Sequence, residues 1–174
     1  MGFRNFVSLA AACAVWTASC GAGFAGRDVA GTVSGLPVPR YVSLKSDHVN
    51  VRAGPTKDQD VTWIYTRSGL PVEITAEFEN WRRVRDSEGA EGWVYHSLLS
   101  GKRTAVVTMK KKDELAPIYD SADANSAVAA KLQAGVVANV KRCNDGWCRV
   151  FGNGFDGWIQ QQRLWGVYAD EKVN

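Results

Sequence analysis

The chain has 174 residues, enough for one domain or two small ones. Its 21 lysines and arginines nearly balance its 18 aspartates and glutamates. Arg82, Arg83 and Arg85 interleave with Glu77, Glu79, Glu88 and Glu91, and a surface of such mixed sign excludes the basic footprint of a nucleic-acid binder.

Residues 1–25 read as a secretory signal. Arg4 precedes an apolar or small run from Val7 to Ala18, and small residues follow around Cys20, giving cleavage after Ala22 or Ala25. The run is too short for a membrane span, and no later stretch reaches the ~18 apolar residues a spanning helix needs. Lipidation at Cys20 is a second route, disfavoured by Thr17 where a lipobox normally has Leu. A retained anchor or a buried helix is a third. The expected location is periplasmic or secreted.

Residues 26–40, with Pro37 and Pro39, read as a linker. Short β-rich runs follow at 41–46, 49–53, 61–66, 71–79, 81–86 and 92–96, with a helical turn at 97–99. A second set occupies 104–110, 115–119, 127–133, 136–142, 147–151 and 157–161. This density predicts an all-β fold of two small barrels, 41–103 and 104–168, after the signal peptide. Residues 169–174 form a polar tail expected to fray. The run Lys110 to Lys112 reads as a solvated edge, with a weak anionic-polymer contact as its functional alternative.

The two sets are copies of one unit. Gly69 precedes Trp81 by 12 residues, as Gly135 precedes Trp147. Gly92-Trp93 returns as Gly157-Trp158, Arg83-Val84 as Arg149-Val150 and Leu99 as Leu164. The repeated positions hold no acid, base or metal ligand, which favours a binding module over an enzyme. Cys143 and Cys148 bracket Asn144-Asp145-Gly146-Trp147, and Asp-Gly signals a two-residue hairpin turn. The cysteines then face each other as a non-hydrogen-bonded pair with Cα atoms about 4.5 Å apart, within disulfide reach. That register puts Val140 and Val150 on opposite faces unless a β-bulge restores the phase. A redox pair or half a zinc site are the alternatives, but only His48 and His96 exist to complete the latter. In the first copy Glu77 and Arg82 take the cysteine positions as a cross-strand ion pair.

Asn50-Val51-Arg52-Ala53-Gly54-Pro55, Trp81-x-x-Val84 and Glu91-Gly92-Trp93-Val94 resemble the bacterial Src-homology-3-type (SH3b) domain. The second copy keeps Trp147-x-x-Val150 and Asp156-Gly157-Trp158-Ile159 but has Ala116-Pro117-Ile118-Tyr119 in place of the first motif. The resemblance covers 41–168 and extends to tandem SH3-like proteins exported by alphaproteobacteria. It implies SH3-like β-barrels, no catalytic residue, no cofactor or metal, and a cell-envelope setting with peptidoglycan or an envelope protein as partner.

Candidate ligand-binding residues are Trp63, Tyr65, Trp81, Arg83 and Tyr95. Aligning 62, 64 and 66 with Val128, Ala130 and Leu132 turns Thr62, Ile64 and Thr66 inward and Trp63 and Tyr65 outward. This aromatic pair, absent from the second copy, is a ligand platform or a contact with the second barrel. Trp81 with Arg83, and Trp147 with Arg149, grip a carboxylate or sugar, or are tryptophans capped by an arginine stem. Tyr95-His96 flanks the same groove. Wall binding by peptide or glycan recognition leads; an adaptor for an extended or proline-rich segment is the alternative.

Overall fold

The structure is a computed structural model that describes residues 29–30, 33–109 and 114–174. The expected signal at 1–25, with Cys20, and Lys110 to Lys112 lie outside the described residues. The first half contains β1 (Val29–Ala30), β2 (Pro37–Val38), β3 (Arg40–Leu44), β4 (Val49–Arg52), β5 (Val61–Tyr65), β6 (Pro71–Phe78), β7 (Trp81–Arg85), β8 (Glu91–Tyr95) and β9 (Leu99–Ser100). The second contains β10 (Thr104–Val107), β11 (Ala116–Tyr119), β12 (Val128–Leu132), β13 (Val137–Asn144), β14 (Trp147–Gly152), β15 (Phe155–Gln160) and β16 (Leu164–Trp165). A 3₁₀ turn precedes β9 and another precedes β16.

Each half curls one seven-stranded antiparallel sheet around its own apolar core. The strand orders are β5-β4-β8-β7-β6-β3-β9 and β12-β11-β15-β14-β13-β10-β16, the same path twice. The alternation of the sequence builds the cores: Val49 and Val51 are buried on β4, as are Ala116 and Ile118 on β11. Arg52 ties the Gly54-Pro55 loop to the barrel by donating from Nη1 to the Gln59 carbonyl at 2.6 Å.

The β13–β14 hairpin has the expected chemistry. Asp145 (φ 50°) and Gly146 (φ 77°) take the left-handed conformations of a tight two-residue turn. Asn144 opposes Trp147, and Cys143 opposes Cys148. The cysteines form a disulfide with Cα atoms 4.1 Å apart. A register shift between Val140 and Arg142 returns Val140 to Val150, so the bulge is real. The first barrel repeats the bulge between Ile74 and Ala76. There Glu77 opposes Arg82, with Arg82 Nε 3.2 Å from Glu77 Oε1.

Glu77 does more than the sequence implies. Its side chain is fully buried, at 0% exposure. It accepts from Arg40 Nη2 at 2.7 Å, from the Ser34 hydroxyl at 2.6 Å and from the Ser34 N–H at 2.9 Å. Burial opposes its charge, but these hydrogen bonds and the Arg82 charge outweigh it and lower its pKa to about 2. The stretch expected as a linker is thereby fastened to the first barrel from Val33 onward. The tail also departs from expectation. Val173 is buried and exchanges backbone hydrogen bonds of 2.9 and 3.1 Å with Cys143. Glu171 pairs with Arg103 at 2.7 Å. One apolar side chain and one ion pair outweigh the fraying entropy that polar composition suggested.

The barrels share an aromatic junction. Tyr41 meets the edge of Trp165 at 5.1 Å and tilts against Tyr168 at 4.6 Å. The Tyr168 hydroxyl donates to Glu73 Oε1 at 2.9 Å, and Glu73 also accepts from Arg85 Nε at 2.9 Å. Burial, then the Glu73 charge, pushes the Tyr41 pKa up to about 12. Burial and the bond to Glu73 push Tyr168 up as well. Gly166 (φ 118°) completes the contact, since a Cβ there would lie 3.1 Å from Pro71 Cβ of the first barrel and 2.6 Å from the Thr104 carbonyl oxygen of its own barrel.

Because the Glu77 pKa is depressed in the fold, its contribution is complete above about pH 4.5 and fades as pH falls toward 2. Glu77→Gln should lose on the order of 2 kcal/mol at neutral pH and flatten that acid limb, read by urea unfolding across pH. Tyr168→Phe should cost about 1–2 kcal/mol. It should also increase independent tumbling of the barrels in ¹⁵N relaxation; unchanged relaxation would count against the junction as a clamp.

Candidate functional site

The first barrel places the five candidates in three local arrangements. Trp63 and Tyr65 lie on β5, with ring centroids 6.0 Å apart and edge to face. The phase expected for this strand is reversed. Trp63 and Tyr65 pack against the core, whereas Ile64 is 42% exposed and Thr62 faces solvent. Register gives the reason. Tyr65 opposes Val49 as Leu132 opposes Ala116, and Trp63 opposes Val51 as Ala130 opposes Ile118. Three residues separate Tyr65 from Gly69, but two separate Leu132 from Gly135. An offset carried back from the glycines therefore slips by one, and a one-residue slip turns every side chain to the other face. The true counterparts of Trp63 and Tyr65 are Ala130 and Leu132, so the aromatic pair still belongs to the first copy alone.

Both rings remain half-buried rather than covered. Trp63 sits over Gly92, where a Cβ would lie 3.1 Å from its Cη2 atom and 2.4 Å from Val51 Cγ1. The Tyr65 hydroxyl donates to Asp86 Oδ2 at 3.0 Å, while Asp86 Oδ1 accepts from the Glu88 and Ala90 N–H groups. Burial, then the Asp86 charge, raises the Tyr65 pKa. Tyr65 lines a cleft of about 250 Å³ with Leu70, Pro71, Asp86, Glu88 and, from the second barrel, Val106. One edge of the aromatic pair thus reaches the barrel junction.

Trp81 and Tyr95 form the second arrangement. They oppose each other on β7 and β8, edge to face at 5.3 Å, and Tyr95 tilts against His96 at 5.1 Å. Trp81 is 8% exposed, so the accessible ring is Tyr95. Arg83, the third, neither stacks on Trp81 nor stands free: it pairs with Glu91 at 2.7 Å. Arg149 does the same with Asp156 at 2.8 Å. Both guanidinium groups are engaged by carboxylates of the neighbouring strand.

Sequence reasoning missed Trp93. It opposes Arg83 and lies on the same outward face as Tyr95, half-buried. Its counterpart Trp158 carries the Arg142 guanidinium 4.7 Å from its ring centre. The first barrel has Ala76 at the Arg142 position, opposite Arg83 as Arg142 is opposite Arg149. The difference was readable only after the bulge had been placed. No group of three or more His, Cys, Asp or Glu side chains suited to a metal ion occurs among the described residues.

Two curled sheets of identical strand order, each with a bulged hairpin and a glycine beneath its closing strand, define a tandem SH3-like β-barrel protein. The profile of the bacterial SH3 domain family matches residues 45–101 and again 112–166, and the chain belongs to that family. No curated protein matches it. Among solved structures it is similar to NlpC2 from Trichomonas vaginalis (17% identity, TM-score 0.33, covering 73% of this chain and 48% of that one). It is likewise similar to NlpC1 from the same organism (17% identity, TM-score 0.33, covering 77% and 48%). The chain thus spans about half the length of these structures.

Gly92→Ala tests the seat of Trp63. The added methyl would overpack Val51 and the indole, costing about 1–3 kcal/mol. It should also change the tryptophan fluorescence of the folded state; a native melting temperature would show that the contact is slack.

Proposed function

We propose that this protein is a non-catalytic binding module of the cell envelope that holds peptidoglycan, by peptide or glycan, through its first barrel. The observation that carries this reading is the Trp63–Tyr65 pair, half-buried on β5 and replaced by Ala130 and Leu132 in the second barrel. A fold needs a core in both copies, and an aromatic pair kept in one is available for a ligand. The Cys143–Cys148 disulfide supports an oxidising compartment, the periplasm or the exterior. Membership of the bacterial SH3 domain family supports a binding rather than a catalytic role.

An adaptor that takes an extended or proline-rich segment of an envelope protein is the second reading. The outward face that Tyr95 and Trp93 share, with His96 tilted beside Tyr95, favours it, because an aromatic surface suits such a segment.

Co-sedimentation with purified peptidoglycan sacculi distinguishes the two. The protein should pellet saturably. Trp63→Ala, checked for native circular dichroism, should lose at least about tenfold in affinity, as expected for an aromatic anchor. Tyr65→Phe, which keeps the ring, should lose less. A folded protein that stays in the supernatant would reject wall binding and leave the adaptor reading.

A further inference from the structure

The second barrel contains a cleft beside its C-terminal segment. It has a volume of about 400 Å³ and lies between the Asp145-Gly146 turn, Trp147, the residues Gln160 to Gln162, and the C-terminal segment with Val167, Ala169 and Asp170. Small-molecule sites typically occupy about 300–1,000 Å³. Trp147 opposes Gln160 across β14 and β15, is half-buried, and has Tyr119 edge-on at 5.7 Å. Leu164 and Val167 supply an apolar wall.

Gln161 is the unusual residue. It is 5% exposed and borders the cleft. Its Nε2 donates to the Tyr168 carbonyl at 2.6 Å and the Glu171 carbonyl at 3.0 Å. Two carbonyl partners fix which end of the amide is nitrogen. The Oε1 atom is therefore a buried acceptor, and it has no donor among the described residues. A buried acceptor left without a donor is unfavourable, and a ligand hydroxyl would supply the missing partner. Asp170 holds a left-handed backbone (φ 60°) at the cleft's rim, a conformation uncommon away from glycine.

The chemistry of this lining selects a ligand class. An indole face attracts the C–H side of a hydroxylated ring. Planar amides and carboxylates accept from its hydroxyls. Asp145 and Asp170 are the only charged residues in the lining, so an anion would meet repulsion without compensation. We infer that the second barrel holds a neutral sugar ring in this cleft, with Trp147 as its platform and Gln161 Oε1 as the buried acceptor. The equivalent positions of the first barrel carry different chemistry. His96 stands at the Gln161 position, its N–H bonded to the Asn80 carbonyl as that of Gln161 is bonded to Gly146. Tyr95 replaces Gln160, and its ring meets Trp81 edge to face.

The site is distinct in residues and barrel from the wall-binding reading above. The test is a ¹⁵N–¹H NMR titration of the whole protein with two neutral probes, chitotetraose and cellotetraose, and one anionic probe, tetragalacturonate. The Trp147 indole N–H and the Gln161 side-chain amide should shift saturably with at least one neutral probe and not with the anionic one. Trp147→Ala should weaken that binding about tenfold, the loss of one aromatic anchor. Asp170→Gly keeps the left-handed backbone accessible and should weaken it about two- to fivefold, so the inference does not hang on one variant folding. No saturable shift with either neutral probe would overturn the site. So would shifts confined to the first barrel, or an equal response to the anionic probe. Failure of sacculus binding in Trp63→Ala leaves these shifts untouched, so the two readings fall separately.

Discussion

Both barrels depend on a close approach that only glycine permits. A Cβ on Gly92 would lie 2.4 Å from Val51, and one on Gly157 would lie 3.0 Å from the Tyr119 carbonyl oxygen and 3.1 Å from Ile118. At these points β4 crosses to β8 and β11 to β15, each through a single register pair, Arg52 with Trp93 and Tyr119 with Trp158. This crossing bends a flat ladder into a closed core. It also sets the direction of the next two side chains. The tryptophan after each glycine points outward, and the residue beyond it, Val94 or Ile159, points into the core. A repeated Gly-Trp pair is therefore a mark of closure before it is a mark of binding.

With closure common to both, the copies diverge where closure does not constrain them. At the bulged hairpin one copy uses a disulfide and the other a buried carboxylate with three polar neighbours. The covalent tie acts on its own short loop and makes few demands elsewhere. The carboxylate is stable as an anion only while Ser34, Arg40 and Arg82 surround it. The first barrel consequently recruits the chain on its N-terminal side, and the second recruits the chain on its C-terminal side through Val173 and Glu171. Each copy is completed by a different flanking segment.

Elements specified by local chemistry were legible in the sequence. The Asp145-Gly146 turn carries its own dihedral requirement, and the need to face Val140 with Val150 revealed the bulge. The repeat led to the strand path. What failed was inference across a loop: the extra residue between Tyr65 and Gly69 reversed the phase of β5, and no composition signal marks such an insertion. Arg83 looked available because its partner Glu91 comes from the next strand. The tail looked loose because polar composition conceals that Val173 fits beneath Cys143. The Gln161 cleft escaped notice because an unpaired amide oxygen is a property of the assembled site, not of a glutamine in a row of three.

The aromatic junction has a further consequence. With Tyr168 bonded to Glu73 and no side chain at Gly166 to hold the barrels apart, the two units stand at one separation and one orientation. A polymer that touches both surfaces then meets the second at a high effective concentration without the entropy loss of ordering a flexible tether. Geometry of this kind selects by the spacing of repeating units along a strand. Under the proposed wall binding, such geometry would make the pair a ruler for avidity rather than two beads on a string.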